Sequence, residues 1–381
     1  MRFTHIRLQN WRNFKNAEVD LSSRAFFVGP NAAGKSNILD AFRFLRDVSI
    51  GGLAAAVDAR GGISSLRYVQ ATSNTDIGIA VNMGTDSEPK LWSYALKFNR
   101  HKALKVPAVV SEEVSTGGQS VLKRPKDRDN SDPILLTQTH LEQVQQNEKF
   151  REVASFFRGV RYLHVVPQVV RDARRAVSSE DDPYGGDLLA RMKATPKKSR
   201  DARLKQINKA LQIAVPQFED LILEDDDLGR PHLRARYKHW RPRGAFHTEE
   251  VFSDGTLRLI GFLWAIGERN AGPLLLEEPE LSLHDAIVEQ LPVMIARAQK
   301  RSGRQTIITT HSEAMLNDTG LGLDEVHRLV PTDNGTEIET ARHNSRVRGM
   351  VEKGLNVGEA VMPEVRPSNI DQLSIFDVVA H

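Results

Sequence analysis

Residues Gly29 to Ser36 read G-P-N-A-A-G-K-S, and the stretches on either side leave few folds open. The preceding run, Ala25-Phe26-Phe27-Val28, has the short apolar character of a buried strand. The segment that follows carries Ile38, Ala41, Phe42 and Leu45 at helical spacing, so one of its faces is apolar. A strand, a glycine-bounded turn and a helix in this order predict a phosphate-binding loop rather than a chance glycine turn. Gly29 and Gly34 let the backbone curl so that successive N–H groups and a helix N-terminus face one anion. Lys35 adds a mobile charge for β- and γ-phosphates, and the Ser36 hydroxyl is placed to ligate Mg²⁺. The pattern predicts a nucleoside triphosphate site.

A chain of 381 residues has room for two or three domains, or for one large domain with an inserted lobe. Its 40% hydrophobic and 27% charged content are those of an ordinary globular protein. The absence of cysteine excludes disulfides and thiolate metal sites. No run approaches the length of a membrane span, and strand-like alternation starts directly after Met1, so neither a signal peptide nor a membrane partner is expected. Net charge is only +3, so where the basic residues sit matters more than their sum.

Three further stretches carry chemistry. Val251 to Thr256 reads V-F-S-D-G-T and leads into an apolar helix, with Ser253 or Asp254 as its cap; a serine and a glycine at a helix start form a second anion site. Leu274-Leu275-Leu276 ends in Glu277 and Glu278, which by themselves read equally as an acidic turn or as a metal–water site at the carboxyl edge of a parallel sheet. In the second reading Glu277 faces the Mg²⁺ shell and Glu278 orients or deprotonates the attacking water. Finally, Thr306 to Thr310 is a β-branched strand that delivers His311 to the same edge, one helical crossover later.

In this order the pieces resemble the ABC-type ATPase heads of the RecF, SMC and OLD families, where a phosphate loop, a signature turn, a carboxylate pair and a switch histidine succeed one another. Leu8 to Phe14 looks like the opening L-x-N-F/W-R-x-F segment of these families, whose arginine, here Arg12, helps hold the nucleotide. Asn31 matches the asparagine of their phosphate loop, and Leu281 to His284 looks like their D-loop. Gln168, after the apolar strand 161–166, is the Q-loop candidate, with Gln70 the weaker one. The resemblance covers 1–50 and 250–345 well and the middle loosely. It departs in having Glu277 where aspartate is usual and S-D-G-T in place of S-G-G-Q.

The resemblance implies an α/β fold of the P-loop NTPase, ABC-head type: a mixed sheet, an antiparallel side sheet and an inserted, mainly helical lobe. The expected divisions are 1–110 with the phosphate loop, 111–245 as inserted lobe, 246–345 with signature, carboxylates and histidine, and a tail, 346–381. Within these, Ile77–Ala80 and Leu91–Phe98 alternate as strands, 111–132 is polar and reads as a loop, Pro133–Phe157 turns helical, and a helix is expected over about 198–214. Basic residues bunch at Arg171, Arg174 and Arg175, from Lys197 to Lys205, and from Arg230 to Arg243, which could form a nucleic-acid groove or solvated surfaces offset by Glu224 to Asp227.

Function follows from the same resemblance. It implies a cytoplasmic ATPase using ATP and Mg²⁺, assembling as a homodimer or higher oligomer with Ser253 and Gly255 of one subunit covering the triphosphate of the other. The tail resembles that of stand-alone ATPases of bacterial defence modules and shows no Toprim metal cluster, which implies a separately encoded, nuclease-like effector and contact with nucleic acid. The rival expectations are a RecF-like repair ATPase that binds DNA directly, a transporter motor and a scaffold without turnover.

Overall fold

The computed structural model describes residues 1–71, 75–172, 182–238, 245–269 and 272–366. They fall into two compact units, Met1–Val160 together with the described residues from Gln305 onward, and Arg161–Arg304.

The first unit opens with strands β1 (Arg2–Trp11), β2 (Phe14–Asp20) and β3 (Arg24–Val28), followed by helix α1 (Lys35–Asp58) and the short α2 (Ile63–Leu66). β4 (Ile77–Gly84), β5 (Trp92–Arg100), β6 (Pro107–Thr116) and β7 (Gln119–Arg124) come next, then α3 (Asp127–Ser131) and α4 (Arg151–Arg158). Six of these strands form an antiparallel side sheet in the order β2-β1-β4-β5-β6-β7. α1 is buried on several sides, through Ile38, Leu39, Phe42, Phe44, Leu45 and Val48, because it is covered by more than one layer. Phe42 meets Phe3 at 4.8 Å, and Phe44 stacks on Phe98 at 5.2 Å.

The second unit holds β8 (Arg161–Leu163), α5 (Pro167–Val170), α6 (Leu188–Ala194), α7 (Lys197–Ala214), β9 (Phe218–Asp225), β10 (Pro231–Tyr237) and β11 (Ala245–Thr248). It continues with α8 (Asp254–Ile266), β12 (Leu274–Glu277), α9 (Asp285–Val288) and α10 (Leu291–Ser302). β12 pairs with β8 in parallel, and β9, β10 and β11 make a separate antiparallel sheet. α8 is an almost wholly apolar helix with Leu257, Ile260, Phe262 and Trp264 buried, as its sequence requires.

The chain then returns to the first unit with β13 (Thr306–Thr310), β14 (Val326–Thr332), β15 (Gly335–Thr340), α11 (Ser345–Glu352) and α12 (Val357–Val365). β3 lies between β13 and β14, parallel to both, and β15 closes on β14 as a hairpin. β3 and β13 are buried along their whole length, which explains why both read as unbroken apolar or β-branched runs. No helix of the described residues is long and apolar enough to cross a membrane.

The expected strands over 77–80 and 91–98 and the helix near 198–214 are present, but the polar stretch 111–132 is no loop. It holds most of β6, all of β7 and α3, with Gly117 and Gly118 making the hairpin turn. The reason is a buried ion pair. Glu112 points inward, where its carboxylate accepts from Arg124 at 3.2 Å, Tyr94 at 3.1 Å and the amides of His140 and Leu141. Arg124 also grips Asp129 at 2.8 Å. Charges that mark a loop in the sequence are here core groups whose hydrogen bonds are met. The helix expected over 133–157 is shorter than its pattern: two 3₁₀ turns, Pro133–Thr137 and Glu148–Phe150, precede α4.

Two stability predictions follow from these groups. Arg124→Met leaves a carboxylate stranded in the core, so urea unfolding should show a loss of about 3–5 kcal/mol. His327, buried in β14, is held down to about 4 by burial. The unfolded chain therefore takes up a proton at this residue that the fold refuses, and stability drops as pH falls from the ordinary histidine value toward 4. The slope is at most about 1.4 kcal/mol per pH unit. Urea midpoints measured from pH 7 to 4.5 should fall less steeply in His327→Asn than in the parent.

Candidate functional site

The phosphate loop leaves the end of β3 and enters α1. Register places Thr310 beside Val28, so Gly29 and His311 follow neighbouring strand ends and emerge together. His311 is exposed, as are Asn31 and Ser36, whereas Lys35 is buried. The Lys35 ammonium donates to Gly29 O and Pro30 O, both at 3.0 Å, folding its charge into the loop that it closes.

Asn13 sets the height of this loop. Its Nδ2 donates to Ala33 O at 2.8 Å and Thr336 Oγ1 at 2.7 Å, and its Oδ1 accepts from Asn37 at 2.7 Å. Gly34 is in the left-handed region (φ 100°), and a Cβ there would fall 2.2 Å from Asn13 Nδ2. Only glycine satisfies both demands. Trp11 donates to Asn37 O at 2.8 Å, and Arg12 pairs with Asp40 at 2.9 Å, an aspartate shared with the buried Arg60. Arg12 thus stands over the first turns of α1 on a left-handed backbone (φ 50°).

The loop suits a triphosphate. α1 starts without a side-chain cap and without an acidic residue in its first turn, so the positive end of its dipole is presented to a phosphate. Among the described residues no three His, Asp or Glu gather as a metal cage. Mg²⁺ on a nucleotide needs only one or two protein oxygens, and the Ser36 hydroxyl at the start of α1 is of the expected type.

The second unit carries the other residues singled out from the sequence. Ser253 caps α8, its hydroxyl accepting from Thr256 N at 3.1 Å. Asp254 in the first turn would repel an anion, yet Arg171 grips it at 2.6 Å and also donates to Phe252 O at 2.6 Å. Gly255 approaches the D-loop-like segment so closely that a Cβ would lie 2.4 Å from Ser282 O. The signature turn and the segment after the carboxylates are therefore packed as one piece.

Glu277 ends β12 and accepts a hydrogen bond from the Tyr162 hydroxyl, while His164 Nδ1 lies 3.3 Å from the Glu277 carbonyl. Glu278 has φ 43°, a left-handed backbone in a residue other than glycine, which costs on the order of 1 kcal/mol. Arg258 on α8 is pulled below the ordinary arginine value by burial, against the opposing charges of Asp254, Glu278 and Glu280.

Gln168 sits exposed on α5, and Gln70 accepts from the Tyr68 hydroxyl at 3.1 Å. Of the basic groups, Arg230 pairs with Asp226, Arg234 with Glu224 and Arg236 with Glu219, while Arg174, Arg175, Arg241 and Arg243 lie outside the described residues. Sequence reasoning missed Asp40, Tyr162 and the bracing role of Asn13. Asn13 was visible only as one letter of the N-terminal segment, and nothing in the spacing tied Tyr162 to Glu277.

The fold is that of the SMC ATPase heads. The Smc head bound to the C-winged helix domain of ScpA aligns over 89% of this chain and 98% of its own, with a TM-score of 0.54 and 16% identity. An Smc head with an extended coiled coil, bound to the C-terminal domain of ScpA derived from Pyrococcus furiosus, aligns over 92% and 99% with a TM-score of 0.52 and 14% identity. By sequence, the chain belongs to the family described as "AAA domain, putative AbiEii toxin, Type IV TA system", which matches residues 24–317. It is also 40% identical over 50 residues to Endonuclease GajA of Bacillus cereus (strain VD045); that match spans 13% of this chain and 9% of that protein's length.

Loss of the Asn13 carboxamide should loosen the loop without unfolding the unit. In Asn13→Ala, calorimetric titration is expected to show nucleotide affinity lower by about tenfold, or ~1.4 kcal/mol.

Proposed function

We propose that this chain is a Mg-dependent ATPase that closes into a homodimer on ATP and relays nucleic-acid sensing to a separate effector in antiphage defence. The observation that carries the reading is the presence of two helix starts fit for phosphate, α1 behind the glycine loop and α8 behind Ser253, with one triphosphate loop to serve. Two copies give the second start a purpose: each covers the triphosphate held by the other.

In this reading Lys35 and the backbone from Gly29 to Gly34 bind the phosphates, with Asn31 and Arg12 beside them. Ser36 and Glu277 would hold the metal, which when bound would neutralise charge on the phosphate oxygens. Glu278 takes the proton of the attacking water, and His311 and Gln168 report the γ-phosphate to their own strand and helix. Ser253 and Gly255 of the partner subunit close the site, and turnover releases them. Arg171 allows this approach by offsetting Asp254.

Support for a defence role comes from the family's toxin description and the short similarity to an endonuclease. A cytoplasmic location goes with ATP as fuel. Contact with nucleic acid is assigned to the assembled complex rather than to β10, whose arginines are paired with acids.

Lys35→Ala should lose ATP binding and turnover, reading at background in a phosphate-release assay. Glu278→Gln should keep ATP binding, lose at least about a hundredfold in turnover, and run as a dimer on a sizing column with Mg·ATP. A Glu278→Gln chain that stays monomeric under those conditions defeats the sandwich.

A further inference from the structure

The longer carboxylate arm at position 277 has a brace. In the register of β8 and β12, Leu275 faces Tyr162 and Leu276 faces Leu163. Glu277, two residues beyond Leu275, shares a sheet face with it, so the Tyr162 ring reaches diagonally across to the carboxylate. Its hydroxyl donates to Glu277 Oε2, and His164 lies against the carbonyl of the same residue. The side chain of Glu277 is held from β8 and its backbone is met by the residue that follows that strand.

We infer that Tyr162 is a positioning residue that fixes the Glu277 carboxylate for a divalent cation; this rests on the reading of Glu277 as a metal-shell residue. Glutamate has one more rotatable bond than aspartate, and an unbraced arm would sample positions from which it misses a bound metal. A tyrosine hydroxyl suits the task chemically. It donates a single hydrogen bond and brings no charge of its own beside the carboxylate. A lysine or arginine in its place would hold the arm equally well but would compete with the metal by neutralising it. Tyr162 therefore compensates for the methylene that separates this chain from the usual aspartate pattern.

The test uses the full chain and measures the gain in ATP affinity that Mn²⁺ confers over EDTA, in the parent, Tyr162→Phe, Glu277→Asp, the double variant and Glu277→Ala. Phenylalanine keeps the ring, and urea midpoints check that the fold is retained. Tyr162→Phe is expected to reduce the Mn²⁺ gain by about tenfold, to leave affinity in EDTA unchanged, and to raise the Mg²⁺ concentration needed for half-maximal turnover more than it lowers kcat. On the Glu277→Asp background, whose shorter arm is out of the tyrosine's reach, the same change should have no effect. If Glu277→Ala abolishes the gain and Tyr162→Phe leaves it intact, or if the tyrosine effect is equal on both backgrounds, the brace is overturned and the metal reading stands. If Glu277→Ala itself keeps the full gain, the metal reading falls and the brace with it.

Discussion

The phosphate loop is held in place by one carboxamide. Asn13 joins the loop at Ala33, the first turn of α1 at Asn37 and the β15 hairpin at Thr336. A loop rich in small residues has little side chain of its own to pack, and its backbone has many conformations to lose on ordering. An anion site needs its N–H groups aimed before the ligand arrives, because ordering them afterwards would be charged against binding. Asn13 meets that need from outside the loop, and Gly34 must lack a Cβ so that the carboxamide can come close. The Lys35 ammonium completes the arrangement by bonding the loop's own carbonyls.

The second unit shows how departures from a familiar pattern are offset by neighbours. An aspartate in the first turn of the signature helix opposes an approaching phosphate, and Arg171 takes up its charge. A glutamate in place of an aspartate lengthens an arm, and Tyr162 holds it. Such pairs are coupled in effect: each member alters the consequence of changing the other. They also tie β8 and the segment after it to both the signature turn and the carboxylate strand, so residues of plain appearance govern the electrostatics of two motifs.

The motifs themselves were legible because their chemistry constrains local sequence. A strand buried on both faces must be apolar throughout, which made Ala25 to Val28 and Thr306 to Thr310 readable as β3 and β13. Helices with one or more covered faces showed their spacing, as in α1 and α7. The stretch from Ser111 to Arg124 was misread for the converse reason. Its inward side chains include Glu112 and Arg124, and polarity signals solvent unless the partner is known. Apart from Asp129, close to Arg124 in sequence, the partners of Glu112, Tyr94 and the amides after Thr139, lie too far along the chain for a local window to reveal the match.

The sequence alone determined that a triphosphate loop exists, which residues compose it, and that a capped apolar helix, a carboxylate-tipped strand and a histidine-tipped strand follow in order. Those facts are written in nearest neighbours and in periods of two and 3.6. Tertiary structure decided which groups hold these residues in position: Asn13 beneath Gly34, Arg171 on Asp254, Tyr162 on Glu277 and Glu112 on Arg124. Each is a contact set by strand register or by the packing of helices rather than by neighbours in sequence, and folding brings the groups together.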